Sequence, residues 1–353
     1  MNYALQQIKL DNLVNFKTFK ANLTNINLIV GDNDTGKTSL LKFLYAISKT
    51  WEIYSHQPAR LSFKQVLSQK LLDTFQPRKL GIGDLVNHHT KEKLSIELIF
   101  ANGADTQNLS FSFGKSTKNT IKHCTENVKP VKENYNTLFI PAKEVLTASQ
   151  AIKFTREPHF LAGFDDTYLD LIKSLEMPAP LNTISEPFSE INDKIANLFE
   201  GSIKRVEREN EAFIFQQGSQ EIAMPLTAEG IKKIGILTTL INNRQLRSGS
   251  ILFIDEPESA LHPKAIRLLM DIIMKIASNG IQIVMSTHSY FVIKQLSINA
   301  RKENRAISCF SLSKAGYDIN HSVSDLREGL PSNPIVEEAL KMFDQEIKLD
   351  LGL

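Results

Sequence analysis

The sequence predicts an α/β fold in which helices flank a mixed β-sheet. Three short apolar runs, at residues 26–30, 251–254 and 281–285, have the composition of strands that are buried on both faces. A helical spacing of apolar residues follows the first run, and a long amphipathic pattern separates the other two. Buried strands that alternate with amphipathic helices are typical of a sheet covered by helices.

Antiparallel strands are predicted beside this core. Residues 8–10 and 16–19 have strand patterns ahead of the first buried run, and residues 93–100 and 108–113 alternate between apolar and polar side chains. Such alternation is expected of strands that have one face in solvent. We therefore expect an N-terminal antiparallel β-subdomain attached to the main sheet.

Residues 1–353 are predicted to form a single domain that contains one insertion. The length fits either two domains or one large α/β unit, and the buried strands lie near both ends of the chain, which favours one shared core. Residues 143–225 have mostly helical patterns interrupted by prolines, with a hairpin around Gly218 near their end. We expect this segment to be a mostly helical insertion.

Composition and charge exclude several classes of protein. The 41 Lys and Arg against 39 Asp and Glu give a formal charge of +2, which neither requires nor excludes nucleic acid. Two cysteines are too few for a disulfide scaffold or a four-cysteine zinc site. No apolar run reaches the roughly 18 residues of a membrane span, and the N-terminus lacks signal-peptide features. A cytoplasmic protein without a membrane partner is therefore expected.

The strongest motif follows the first buried strand. Residues 31–38 fit G-x-x-x-x-G-K-[ST] between a strand and a helix, the context that a phosphate-binding P-loop requires. In such a loop, backbone N–H groups surround phosphate oxygens and the lysine places a positive charge beside the β- and γ-phosphates. The hydroxyl of the Ser or Thr after the lysine ligates Mg²⁺. No N-K-x-D motif for guanine is present, which favours ATP. The predicted nucleotide-binding residues are Gly31, Asp32, Asn33, Asp34, Thr35, Gly36, Lys37, Thr38 and Ser39, with Lys37 also catalytic and Thr38 also a metal ligand.

Polar side chains end the other two buried strands. Asp255 and Glu256 follow the second strand, where α/β sheets bind ligands; we expect Asp255 to hold Mg²⁺ and Glu256 to polarise the attacking water. Glu258 is interpreted as a charge in the first turn of the next helix. His288 follows the third strand and is expected to face the γ-phosphate.

The three motifs together resemble those of the ABC/SMC-like ATPases. The sequences GDNDTGKT, ILFIDEPESALHP and STHS occur in that order, and the Leu261-His262-Pro263 ending is similar to the OLD-like and RecF-like AAA ATPases of bacteria. The resemblance implies a P-loop NTPase fold of the ABC/SMC-head type with ATP and Mg²⁺ as cofactors. OLD nucleases carry a second catalytic domain after the ATPase, and the short segment after His288 leads us to expect a stand-alone ATPase instead.

The resemblance also implies a signature segment that contacts ATP of a second subunit. The candidate residues are Ala228, Glu229 and Gly230, although Ala228 stands where the family pattern has serine. An ATP-sandwich homodimer is expected from this feature. The glutamine loop of the family has no clear match, and residues 141–144 are its nearest equivalent.

Three functions stay open from the sequence. The first is a dimeric ATP-hydrolysing switch that controls a separately encoded effector, a nuclease or toxin, in antiphage defence or a toxin–antitoxin system, as the resemblance implies. The second is an ATP-gated DNA-binding clamp of the RecF or SMC type, for which nucleic acid would be a partner. The third, a transporter ATPase subunit, is disfavoured by His262, where transporters usually have Asp.

Overall fold

The computed structural model describes residues 3–56, 61–77, 81–102, 105–125, 128–130, 135–157, 161–179, 188–193, 201–208 and 211–351. Their strands are β1 Tyr3–Leu13, β2 Phe16–Asn22, β3 Ile26–Gly31, β4 Leu94–Asn102, β5 Asp105–Phe113, β6 His123–Cys124, β7 Thr137–Ile140, β8 Ser202–Arg208, β9 Glu211–Gln217, β10 Gln220–Ala223, β11 Ile251–Asp255, β12 Gln282–Thr287, β13 Ile307–Ala315 and β14 Asp318–Asp325. The helices are α1 Lys37–His56, α2 Phe63–Phe75, α3 Ser149–Arg156, α4 Asp166–Glu176, α5 Glu229–Asn242, α6 Pro263–Ser278, α7 Tyr290–Lys302 and α8 Pro334–Asp350.

Eleven strands form one mixed sheet in the order β6-β5-β4-β1-β2-β14-β13-β3-β12-β11-β7. The strands from β13 to β7 are parallel neighbours, whereas β1, β2, β4, β5 and β6 pair antiparallel. The predicted mixed sheet with an N-terminal antiparallel part is therefore confirmed. The parallel part brings the carboxyl ends of β3, β11 and β12 to one edge of the sheet.

The strands at the centre of this sheet are buried on both faces. In β3, Leu28 and Val30 pack with one apolar cluster, while Ile29 packs with the other. In β11, Ile254 and Phe253 divide between the two clusters in the same way. A strand with apolar neighbours on both faces shows a continuous apolar run rather than alternation, which explains the sequence pattern.

The segment at residues 143–225, predicted as a mostly helical insertion, contains both helices and strands. Helices α3 and α4 lie in its first half, residues 188–193 are also helical, and β8, β9 and β10 form a separate three-stranded antiparallel sheet in its second half. The hairpin around Gly218 is present between β9 and β10. The sequence analysis did not predict β8, because this polar strand has a weak strand pattern of its own and is held by pairing with the buried residues of β9.

Across the described residues, none of the helices combines the length and apolar character needed to cross a bilayer.

Candidate nucleotide-binding site

Two glycines shape the loop between β3 and α1. The strand ends at Gly31 and the helix begins at Lys37. A Cβ atom on Gly31 would lie 2.7 Å from Oγ1 of Thr35, and Gly36 has φ +76° with its missing Cβ 2.8 Å from the ring of Phe16. Both positions therefore require glycine, for space at the first and for space and backbone conformation at the second.

The lysine of the loop points back toward its start. Lys37 Nζ donates hydrogen bonds to the carbonyl oxygens of Gly31 at 2.7 Å and Asp32 at 2.8 Å. Burial lowers the pKa of Lys37, and the nearby carboxylates of Glu256 and Asp255 offset this only in part. An anionic phosphate in the loop would supply the negative charge that such a desolvated ammonium lacks.

The other loop residues divide into exposed and anchored side chains. Thr35 is buried and donates a hydrogen bond from Oγ1 to the Asp32 carbonyl at 2.8 Å, which closes the turn. Thr38 is exposed and Ser39 is half-buried at the start of α1. The exposed side chains at the tip of the loop are Asp32, Asn33 and Asp34.

Oxygen atoms that could bind a metal ion lie where the start of α1 meets the end of β11. Thr38 Oγ1 is 3.1 Å and 3.0 Å from the two carboxylate oxygens of Asp255. Ser286 at the end of β12 also donates a hydrogen bond to Asp255. A hydroxyl beside a carboxylate fits Mg²⁺, a cation that binds oxygen ligands and retains several waters. The two predicted metal-binding residues are therefore adjacent.

Glu256 and His288 face each other beside this metal-type site, which is formed by Thr38 and Asp255. Glu256 Oε1 is 3.2 Å from His288 Nδ1, and the Glu256 backbone N–H donates to the Ser286 carbonyl at 3.0 Å. Glu256 has φ +48°, a left-handed conformation that residues other than glycine rarely adopt. The structure thus brings together the predicted water-polarising carboxylate and the predicted γ-phosphate contact.

Glu258 is also part of this cluster, which contradicts the sequence interpretation. Helix α6 begins only at Pro263, so Glu258 does not lie in its first turn. Glu258 Oε1 instead accepts hydrogen bonds from Thr287 Oγ1 at 2.7 Å and from the His288 backbone N–H at 3.2 Å, and it is 3.7 Å from His288 Nδ1. Its side chain is only 7% exposed. A buried carboxylate in this position fixes the segment that carries His288.

The predicted signature residues lie at the start of α5. Ala228 is the N-cap residue of that helix and makes no side-chain capping hydrogen bond. Glu229 accepts a hydrogen bond from Lys232, and a Cβ atom on Gly230 would lie 2.8 Å from Leu261 Cδ2. Glycine at residue 230 therefore allows close packing against the segment that follows the second motif.

Lys233 joins this helix to the second motif. Its Nζ donates hydrogen bonds to the Glu256 carbonyl at 2.6 Å and to Ser259 Oγ at 2.6 Å. Burial lowers the pKa of Lys233 to about 8, against the opposing effect of nearby carboxylates that include Glu258 and Glu256.

The nearest equivalent of the glutamine loop makes local contacts. Glu144 accepts hydrogen bonds from the backbone N–H groups of Leu146 and Thr147, and its Oε2 is 3.8 Å from Lys232 Nζ. Another residue of the insertion lies within electrostatic reach of the metal-type site. Burial raises the pKa of Tyr168 on α4 to about 12, with contributions from the carboxylates of Asp165 and Asp255.

Sequence reasoning missed four residues of this neighbourhood for different reasons. Glu258 and Thr287 belong to motifs that the sequence had singled out, so their adjacency to Glu256 and His288 was a usable indication. Lys233 ends the candidate signature segment, residues 226–233, but nothing in the sequence indicates its contact with the second motif, and Tyr168 has no spacing that relates it to the motifs. Only the packing of α4 and α5 brings them near the carboxylates.

Fold and loop together define a P-loop protein, with the phosphate-binding type of loop between β3 and α1. The chain belongs to the family described as AAA domain, putative AbiEii toxin, Type IV TA system, which it matches over residues 26–294. This match covers the P-loop, both carboxylate positions and His288.

Solved structures with a similar fold include SMC heads. The Smc head bound to the C-terminal winged-helix domain of ScpA is 13% identical with a TM-score of 0.55, covering 92% of this chain and 98% of that chain. A Smc head with an extended coiled coil, bound to the C-terminal domain of ScpA from Pyrococcus furiosus, is 12% identical with a TM-score of 0.53, covering 98% of this chain and 100% of that chain.

Similarity to a curated protein is confined to a short segment. The Old nuclease of Escherichia phage P2 is 40% identical over 48 residues, which are 14% of this chain and 8% of that protein. The match therefore spans less than a tenth of the length of that relative.

Proposed function

We propose that this protein binds ATP with Mg²⁺ and hydrolyses the bond between its β- and γ-phosphates. The observation that carries the proposal is the meeting of Lys37, Thr38, Asp255, Glu256 and His288 at the carboxyl edge of β3, β11 and β12. Ligands bind at this edge in parallel α/β sheets. The family match, over residues 26–294, supports the same activity.

Each side chain has a distinct part in the proposed reaction. Lys37 would leave the loop carbonyls and neutralise charge on the β- and γ-phosphates, and Thr38 and Asp255 would hold Mg²⁺. The bound metal ion supplies neutralisation of the charge that develops on the phosphate oxygens. Glu256 would orient water for in-line attack, and His288, held by the same carboxylates, would contact the γ-phosphate.

The proposed biological role is that of a dimeric switch. Two subunits would enclose ATP between the P-loop of one and the start of α5, residues 228–230, of the other, since a helix N-terminus favours an anion. Binding would favour the closed dimer and hydrolysis would release it. The family description names a type IV toxin–antitoxin system, and in the proposed role the switch would control a separately encoded effector in the bacterial cytoplasm.

A comparison of nucleotide binding and turnover tests the proposed activity. We expect the wild-type protein to hydrolyse ATP with Mg²⁺, and Lys37→Ala to lower ATP affinity about 10- to 100-fold, because charge-assisted hydrogen bonds are each worth about 1.5–3 kcal/mol. Isothermal titration and phosphate release would measure the two quantities. Lys9→Ala, which removes an exposed lysine paired with Glu97, is the matched control. Unchanged affinity in Lys37→Ala would refute the assignment of the site.

A further inference from the structure

The ammonium group of Lys233 ties together three separate segments of the chain. Lys233 lies in the first turns of α5, and its Nζ donates to the Glu256 carbonyl at 2.6 Å, to Ser259 Oγ at 2.6 Å and to the Ala142 carbonyl at 3.4 Å. Ser259 Oγ donates in turn to the Ala142 carbonyl at 3.0 Å. An ammonium has three N–H donors, so these contacts use all of them.

The segment that Lys233 holds has an uncommon backbone conformation. Glu256 and Ala260 have φ values of +48° and +62°, and neither is glycine. Such conformations persist where the surrounding structure fixes them. The Glu256 carbonyl accepts from both Lys233 Nζ and the Ser259 backbone N–H, the latter at 3.1 Å. The lysine therefore contacts the peptide group next to the carboxylate that would act on water.

The same helix begins at the residues proposed to face a second subunit. Ala228 is the N-cap residue of α5, and Lys233 lies five positions further along the chain. A helix is stiff over so short a distance, so a shift at its start moves Lys233 as well. Lys233 thus connects the proposed dimer contact to the carboxylate end of β11 by one side chain.

We propose that Lys233 is a positioning residue that couples the start of α5 to the orientation of Glu256. ATP bound by one subunit against residues 228–230 of the other would set the position of α5 there, and Lys233 would transmit it to the segment 256–260. This inference rests on the proposed function, because it concerns how hydrolysis is controlled. Lys233 has no contact with phosphate in this assignment and acts through Glu256.

Kinetic constants of Lys233→Met test the coupling. We expect kcat to fall about tenfold or more while the ATP dissociation constant stays within about twofold, since the P-loop is not touched. Lys232→Met is the matched control, because this neighbouring lysine is also buried but contacts Glu229 and Thr147 instead of Glu256. We expect its kcat to stay within about threefold of wild type.

A milder variant separates positioning from folding. Ser259→Ala removes one partner of Lys233, and we expect kcat to fall about threefold with an unchanged Tm. The double variant should be no slower than Lys233→Met alone, because both changes break the same contact. Additive losses would overturn the inference.

The results also distinguish this inference from the proposed function. An active wild-type protein whose kcat is unaffected by Lys233→Met would overturn the inference alone, as would an equal loss in Lys232→Met. A wild-type protein that hydrolyses no ATP would overturn the proposed function and the inference together.

Discussion

At the residue scale, His288 lies between two carboxylates with different surroundings. Glu256 is 3.2 Å from the imidazole Nδ1, and its side chain is 29% exposed. Glu258 is 7% exposed and already accepts hydrogen bonds from Thr287 and the His288 backbone. A carboxylate that orients water needs access to it, which favours Glu256 for that role and Glu258 for holding the His288 segment.

Conservative amide variants of the two carboxylates separate these roles. We expect Glu256→Gln to keep ATP affinity but lower the hydrolysis rate about 10²- to 10⁴-fold, because an amide cannot accept the proton of water. Glu258→Gln should have a smaller effect, since its amide oxygen can still accept from Thr287. Single-turnover hydrolysis of labelled ATP measures both rates. A larger loss in Glu258→Gln would assign the proton-accepting role to that residue.

At the scale of elements, the register of the parallel strands determines where the three motifs meet. The start of helix α5 determines which residues would face a second subunit. Register pairs Asp255 of β11 with Ser286 of β12, and Val30 of β3 with Thr287 of β12, so the three strand ends are aligned. Helix α5 lacks a capping hydrogen bond at its start. Its N-cap residue Ala228 has the extended backbone of an N-cap but no side-chain acceptor.

Replacing this N-cap residue tests its effect on the helix. We expect Ala228→Ser to raise the free energy of unfolding by about 1 kcal/mol, because a hydroxyl at an N-cap accepts from a free N–H of the first turn. Urea denaturation measures the change. Ala228→Val, which adds volume without an acceptor, serves as the control and should give no gain. Equal stability of the serine and alanine proteins would show that the cap makes no such bond.

At the scale of the whole molecule, ion pairs hold the insertion against the P-loop helix. Lys42 on α1 pairs with Asp165 at 2.5 Å, and Lys70 on α2 pairs with Asp166 at 2.8 Å and also with Asp170. Burial by itself would raise the pKa of Asp170, but the ammonium groups of Lys70 and Lys49, with hydrogen bonds from Lys70 and Tyr45, together outweigh it and hold that pKa below its usual value. Helix α4 is therefore attached to both α1 and α2 by charges.

Removing the central cation tests this attachment. We expect Lys70→Met to lower the free energy of unfolding by about 3–5 kcal/mol near pH 7, because it removes the buried cation from Asp170 and leaves that carboxylate with only the hydrogen bond from Tyr45. Lys9→Met, at an exposed ion pair, should cost less than about 1 kcal/mol. Urea denaturation compares the two. Equal effects of both variants would contradict the role assigned to Lys70.

The pH dependence of stability follows from the same pair. The carboxyl of Asp170 has a lower pKa when folded than when unfolded, so its contribution is present above the unfolded value of about 4. The contribution is lost as pH falls through the lower folded pKa. The difference in stability between wild type and Lys70→Met should therefore shrink in this acidic range.

The extent of successful prediction follows from how locally each feature is encoded. The P-loop, Asp255 and His288 were placed by motifs that join a buried strand to its next residues, and those strands appear as expected. Strand β8 was missed because its polar sequence is held by β9, and Glu258 was misassigned because its partners lie on another strand. Features that depend on a distant partner leave little pattern in their own segment.

The sequence by itself determined the P-loop context, the mixed sheet and the three strand ends that carry the candidate chemistry, because periodicity and glycine positions are local properties. Only the tertiary structure decided that Glu258 is buried beside His288, that Lys233 reaches the Glu256 carbonyl, and that α4 is paired with the P-loop helix. These contacts form between segments that are distant in the sequence and meet where helices pack against the sheet. The geometry of their hydrogen bonds and ion pairs is therefore set by packing and not by spacing along the chain.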